Sequence, residues 1–221
     1  MQKIAKIIIT LTLLYLSYVA ATYGAANLAF KQADKQLTYW QQIVGAKVGA
    51  ISVTQPTKGL AANCTQGIQT CPEKTLFERI NFIESYHNAL VSINTAINLH
   101  QNPQYLETKA QILEWGVRAG VAPKQASLKV ANKLYLQSTQ LRPTWPGTWA
   151  ALALNKWHLG EFDNQMIQYL INAHTYGKNR VEVHLIWAQL GGALQQSEEP
   201  KLKQLIAAHH EIVKYHQELT P

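Results

Sequence analysis

Charge is scarce in this chain of 221 residues: Asp, Glu, Lys and Arg make up 15% of it, well under the roughly 25% usual in soluble proteins. Aspartate occurs only at Asp34 and Asp163. The paired carboxylates that most glycan-cleaving sites need would therefore draw on glutamates, and those sit mostly on helix surfaces or helix starts, as Glu198 and Glu199 do before Pro200. Cysteine occurs only at Cys64 and Cys71, too few thiols to complete a structural zinc site and not at thioredoxin spacing. Gly-rich phosphate loops of the Walker or dinucleotide type are missing. So is any sustained two-residue alternation with hairpin turns, which argues against a strand-built fold. The excess of 20 Lys and Arg over 13 Asp and Glu is spread along the chain with no basic block, so a nucleic-acid partner is not expected.

What remains is apolar. Six Trp, ten Tyr and four Phe within a 47% hydrophobic composition supply core material and exclude a disordered chain. The largest concentration is N-terminal: from Ile7 to Phe30, 24 consecutive residues carry no charge. About 20 apolar residues at 1.5 Å rise cross a hydrocarbon layer of roughly 30 Å. Residues 7–30 therefore read as a transmembrane helix that can tilt, behind a short cytoplasmic tail, residues 1–6, holding Lys3 and Lys6. A cleaved secretory signal with a small-residue site at Gly24-Ala25-Ala26 is the alternative. No Cys near this segment could accept a bacterial lipid. Lys31, Lys35 and Lys47 blunt the charge bias across the segment, and the short tail sets the orientation. Removing Lys3 and Lys6 from the formal +7 leaves +5 on residues 31–221, which would face the periplasm from a single pass of a bacterial inner membrane.

Beyond the span, Ala33, Leu37, Trp40, Val44 and Val48 recur at helical steps, predicting a membrane-proximal helix over 31–50. Residues 51–73 are rich in Thr, Gln, Gly and Ala with Pro56, Gly59 and Gly67, the composition of a long loop. An oxidising compartment would let Cys64 and Cys71 close a small disulfide-stapled ring within it; two free buried thiols are the alternative. Residues 74–221 carry helical signal throughout. Leu76, Ile80, Ile83, Tyr86, Leu90, Ile93 and Ile97 mark one helix face, and further helices are expected at 104–120, 124–140, 146–159, 162–176, 181–195 and 199–219. The fold class is all-α, a transmembrane helix followed by antiparallel helix pairs.

Trp115 and Trp149 lie 34 positions apart, the period of tetratricopeptide helix pairs. With Trp149 in that repeat's first slot, Leu152 and Ala153 fill the next apolar and small slots. Gly160 then ends the first helix, and Phe162 and Tyr169 take the aromatic slots, so that Gly160-Glu161-Phe162-Asp163 is the turn. Ala131, Tyr135 and Pro143 match from Trp115, but Pro123 would interrupt that window's first helix. An irregular tetratricopeptide-like domain is expected, with an irregular bundle as its alternative.

The run Leu141-Arg142-Pro143-Thr144-Trp145-Pro146, followed by Trp149-Ala150, Leu152-Ala153, Lys156 and Leu159-Gly160-Glu161-Phe162-Asp163, resembles the VpsP-type proteins encoded with bacterial exopolysaccharide genes. The N-terminal anchor, chain length and helical exported region are similar to theirs as well. The detailed likeness is confined to a small part of the chain and is partly shared by tetratricopeptide proteins at large. It implies participation in polysaccharide biosynthesis or export and brings no catalytic residues with it.

His209, His210 and His216 form the only dense histidine cluster; His209 and His216 share a helix face with Leu202, Leu205, Ile212 and Leu219, away from any third ligand, so no metal is expected. No cofactor is expected either. Arg142, Trp145 and Lys156 are the candidate binding residues, because cationic and aromatic side chains together suit a partner protein surface or an acidic glycan. The expected function is a membrane-anchored scaffold or adaptor in exopolysaccharide biosynthesis or export, with the lipid bilayer and the protein components of that assembly as partners. A glycan-modifying or glycan-cleaving enzyme, and an assembly factor for a pilus or secretion machine, are the other classes considered.

Overall fold

The computed structural model of the chain describes residues 2–51, 81–194, 207 and 211. The expected Cys64–Cys71 disulfide, the loop 52–73 around it and the cluster of His209, His210 and His216 lie outside the described residues. Among the described residues there is no strand. Seven helices with described bounds follow in order: α1 Gln2–Ile51, α2 Phe82–Leu99, α3 Pro103–Arg118, α4 Lys124–Leu141, α5 Pro146–Leu159, α6 Asn164–Gly177 and α7 Val181–Leu194; Ala207 and Glu211 are helical as well. They fall into two compact units, Met1–Pro123 and Lys124–Pro221.

The first unit is organised by α1, which runs for 50 residues, about 75 Å at helical rise. Residues Lys3–Ile43 contain a stretch long and apolar enough to cross a membrane. From Ile4 to Tyr18 the apolar side chains are exposed, since no other element among the described residues packs there. Further along, Ala26, Phe30, Ala33, Leu37 and Trp40 are buried, alternating in steps of four and three. Phe82, Tyr86, Ala89, Ile93 and Ala96 on α2 repeat those steps. Matched seven-residue periods with alanines among large side chains let two helices lie close along one seam. Tyr23 meets His100 with ring centroids 4.3 Å apart and Trp40 meets Phe82 at 4.6 Å, so α1 and α2 are antiparallel. Phe30 stacks on Tyr105 at 4.8 Å and Trp40 lies 6.4 Å from Trp115, so α3 runs parallel to α1 and completes an up-down-up bundle. At the end of the seam where α2 begins, the Trp40 indole N–H donates to Ser85 Oγ at 3.0 Å, and the Ser85 hydroxyl donates to Gln36 Oε1 at 2.7 Å. That chain satisfies polar atoms that burial would otherwise leave costly.

Within the uncharged run 7–30 the first part is exposed and apolar, whereas Ala26 and Phe30 line the helix seam. One expectation is corrected here. On α2, Ile83 is 59% exposed instead of core. The seam is centred on Phe82, Tyr86 and Ile93, with Ala89 and Ala96 giving α1 room to approach; Leu90 and Ile97 sit half-buried on its flank. Helix α3 closes at Gly120, whose φ of 74° is left-handed and favours glycine, with Val121 N–H donating to Gly116 O at 2.9 Å.

In the second unit α5 is the central element, packed against α4, α6 and α7. Its centrality explains why it buries polar as well as apolar residues: Asn155 is fully buried and accepts from Asn132 Nδ2 on α4 at 3.2 Å. Helices α5 and α6 form an antiparallel hairpin. Gly160, at φ 76°, closes α5 with Glu161 N–H donating to Lys156 O at 3.0 Å, and at the far end a Cβ on Gly177 would stand 2.5 Å from Pro146 Cβ. Phe162, expected to fill an aromatic slot of the repeat, is 59% exposed beside Trp157 on the turn before α6. The spacing of Trp115 and Trp149 does not correspond to two copies stacked in one unit, since Trp115 packs against Trp40 in the first unit.

Candidate functional site

The three candidate binding residues lie on one helix and the connector before it. Helix α4 ends as Arg142 N–H donates to Ser138 O at 2.9 Å, and the chain turns, with Trp145 N–H donating to Arg142 O at 3.3 Å. Pro146 forces the extended backbone seen at Trp145 (φ −84°, ψ 109°) and starts α5. The Trp149 indole reaches back from α5 to donate to Pro143 O at 2.7 Å, which pins the connector to the helix. Gly147 keeps room for the Trp145 ring: a Cβ there would stand 3.1 Å from its Nε1.

This turn brings Arg142 and Trp145 together. The Arg142 guanidinium carbon lies 4.3 Å from the Trp145 ring centroid, and that of Arg180 lies 5.1 Å from the same ring. Arg180 was not among the expected residues, being 38 positions from Arg142. The hairpin reading contained the signal: an antiparallel pair returns the chain to its starting end, so the residue opening the next helix stands beside the one opening the first. Contact between Gly177 and Pro146 is what returns Arg180 to this point. Trp145 and Arg142 are half-buried and Arg180 is exposed. Each guanidinium over an indole at such sites contributes about 0.5–1 kcal/mol, and the planar fork of arginine suits carboxylate and phosphate groups.

Lys156 lies apart from Arg142 and Trp145, at the far end of α5. Its side chain is 8% exposed, and its ammonium donates to Glu161 Oε2 at 2.8 Å and to Asp163 Oδ2 at 2.7 Å. Burial pushes the Lys156 ammonium down, but the hydrogen bonds and charges of Asp163 and Glu161 outweigh it and hold the group above its ordinary value. The hydrogen bond from Lys156 in turn holds the Asp163 carboxyl below the usual carboxylate range. The lysine thus closes the α5–α6 turn. Nearby, Tyr169 is buried with its ring 5.9 Å from that of Trp149, and desolvation pushes its phenol up.

Among the described residues no group of three His, Cys, Asp or Glu side chains is placed to hold a metal ion. His184 is buried on α7 and half-buried His174 on α6 lies 6.3 Å from the Trp187 ring; burial first, then Lys178, pushes His174 down. Comparison with known proteins returned no matching family model, no matching curated protein and no matching solved structure.

Proposed function

We propose that this chain is a single-pass, membrane-anchored adaptor that serves bacterial exopolysaccharide assembly or export from the periplasmic side of the inner membrane. One observation carries the anchored part of this reading: α1 passes without a break from exposed apolar residues into the seam with α2. Confinement to the membrane plane raises the effective concentration of the helical units near other membrane components. The polysaccharide context and the side of the membrane both rest on the likeness of residues 141–163, and of the helical region that carries them, to VpsP-type proteins. The docking surface is the α4–α5 connector with Arg142 and Trp145, joined by Arg180. Its two guanidiniums favour an acidic partner protein, with an acidic glycan as the competing ligand.

The test is crosslinking and mild-detergent pull-down of the tagged full chain from its native cells, with mass spectrometry against an untagged control. Recovery of polymerase, glycosyltransferase or export components is the expected result. Recovery of pilus or secretion components would overturn the polysaccharide assignment. Turnover of polysaccharide by the purified chain would replace the adaptor by an enzyme.

A further inference from the structure

The seam between α1 and α2 fixes where the rest of the first unit stands relative to the apolar stretch of α1. His100, in the α2–α3 turn, lies with its ring 4.3 Å from Tyr23, and Tyr105 at the start of α3 stacks on Phe30. The turn is therefore held level with the place where the exposed apolar surface of α1 gives way to the bundle. Counting from Ile4, a span of about 20 residues, or roughly 30 Å, ends at Tyr23. Phe30 stands about 10 Å farther along the helix, a distance comparable to the headgroup layer outside the hydrocarbon.

A second observation is independent of that count. No Asp, Glu, Lys or Arg occurs between Glu84 and Glu107, so α2 beyond its first turn, the α2–α3 turn and the opening of α3 are all without formal charge. On α1 the first charge past Lys6 is Lys31. At the end held beside the span all three helices are thus uncharged, α2 along nearly its whole length. Leu99 is 41% exposed there, and Tyr23 is half-exposed, the kind of amphipathic ring favoured at a membrane interface.

We propose that the α2–α3 turn, centred on Leu99 and His100 beside Tyr23, is a membrane-contacting foot that rests among the lipid headgroups next to the span. This rests on the membrane-anchored reading of α1 and adds a second point of contact to it. Seating the turn removes little hydration from charged groups, because the segment has none.

The test uses the full chain in vesicles of phosphatidylethanolamine and phosphatidylglycerol, with one environment-sensitive fluorescent amino acid placed in turn at Leu14, Leu99 or Val91. All three side chains are exposed, and Val91 lies two turns above Leu99 on α2, about 12 Å farther from the span. Quenchers are carried either on lipid headgroups or deep in the acyl chains. Loss of emission at Leu14 with the deep quencher, and at Leu99 but not Val91 with the headgroup quencher, is the expected result. Quenching at Leu14 with Leu99 as unquenched as Val91 would overturn the foot and leave the anchor standing. No quenching at Leu14 would overturn the anchored reading and the foot with it.

Discussion

Asp163 serves Lys156 and its own helix with different oxygens: Oδ2 accepts from the Lys156 ammonium at 2.7 Å, while Oδ1 accepts from Met166 N–H at 3.0 Å and caps α6. The end of α5 and the beginning of α6 are thereby fastened through one carboxylate. Glu161 supplies a second acceptor to the same ammonium.

Replacing that carboxylate removes both links. Asp163→Ala should lower stability by about 1–2 kcal/mol, most of it the lost helix cap, and Asp163→Asn, which keeps a capping oxygen, should lose less. Thermal melts of the detergent-solubilised full chain followed by circular dichroism check this; equal melting of both variants and the parent would show that the turn holds without the pair.

Acid should act through the same group. Its folded pKa lies below its unfolded value near 3.9, so its stabilisation is fully present above about pH 4 and is lost as pH falls through the folded value. The melting temperature of the parent should therefore drop toward that of Asp163→Asn as pH falls below about 4. A gap between the two that stays constant over the titration would mean the charge contributes nothing.

Gly116 has no room for a side chain. A Cβ there would stand 2.5 Å from Tyr86 Cε2 and 2.6 Å from Cζ, so Gly116→Ala should destabilise the first unit by about 1–3 kcal/mol despite alanine's better helix propensity. Pairing it with Tyr86→Leu should recover part of the loss. An unchanged or raised melting temperature in Gly116→Ala would show that the tyrosine ring moves aside freely.

At the connector, Arg180→Ala should change stability by no more than about 1 kcal/mol yet reduce recovery of the partner proposed to dock there, and Trp145→Ala should reduce it further by releasing both guanidiniums. Partner recovery at parental levels in both variants would remove this surface from the docking site.

Helix positions were largely readable from the sequence because Pro103, Pro146, Gly120 and Gly160 punctuate the chain where helices begin and end. The apolar face of α2 was harder. Ile83 and Phe82 are neighbours, and a periodicity count favours the aliphatic set, whereas packing selects the face on which Ala89 and Ala96 admit α1. Lys156 misled for a similar reason: a lysine amid tryptophans suggests a cationic surface, and only the path of the turn brings Glu161 and Asp163 onto its ammonium. Arg180 could be placed only by following the hairpin back to Pro146.

An unbroken helix also transmits heading. With α1 continuous through Gly24 and locked to α2 from Ala26 onward, the compass direction in which the bundle faces, viewed down the axis of α1, is set by residue count. One residue inserted between Thr22 and Tyr23 would swing the bundle by about 100° and raise it by about 1.5 Å, whereas seven would return it to within about 20° of its original bearing. The heading of the first unit relative to the exposed apolar stretch is therefore built into α1, whose length works as the setting of a dial.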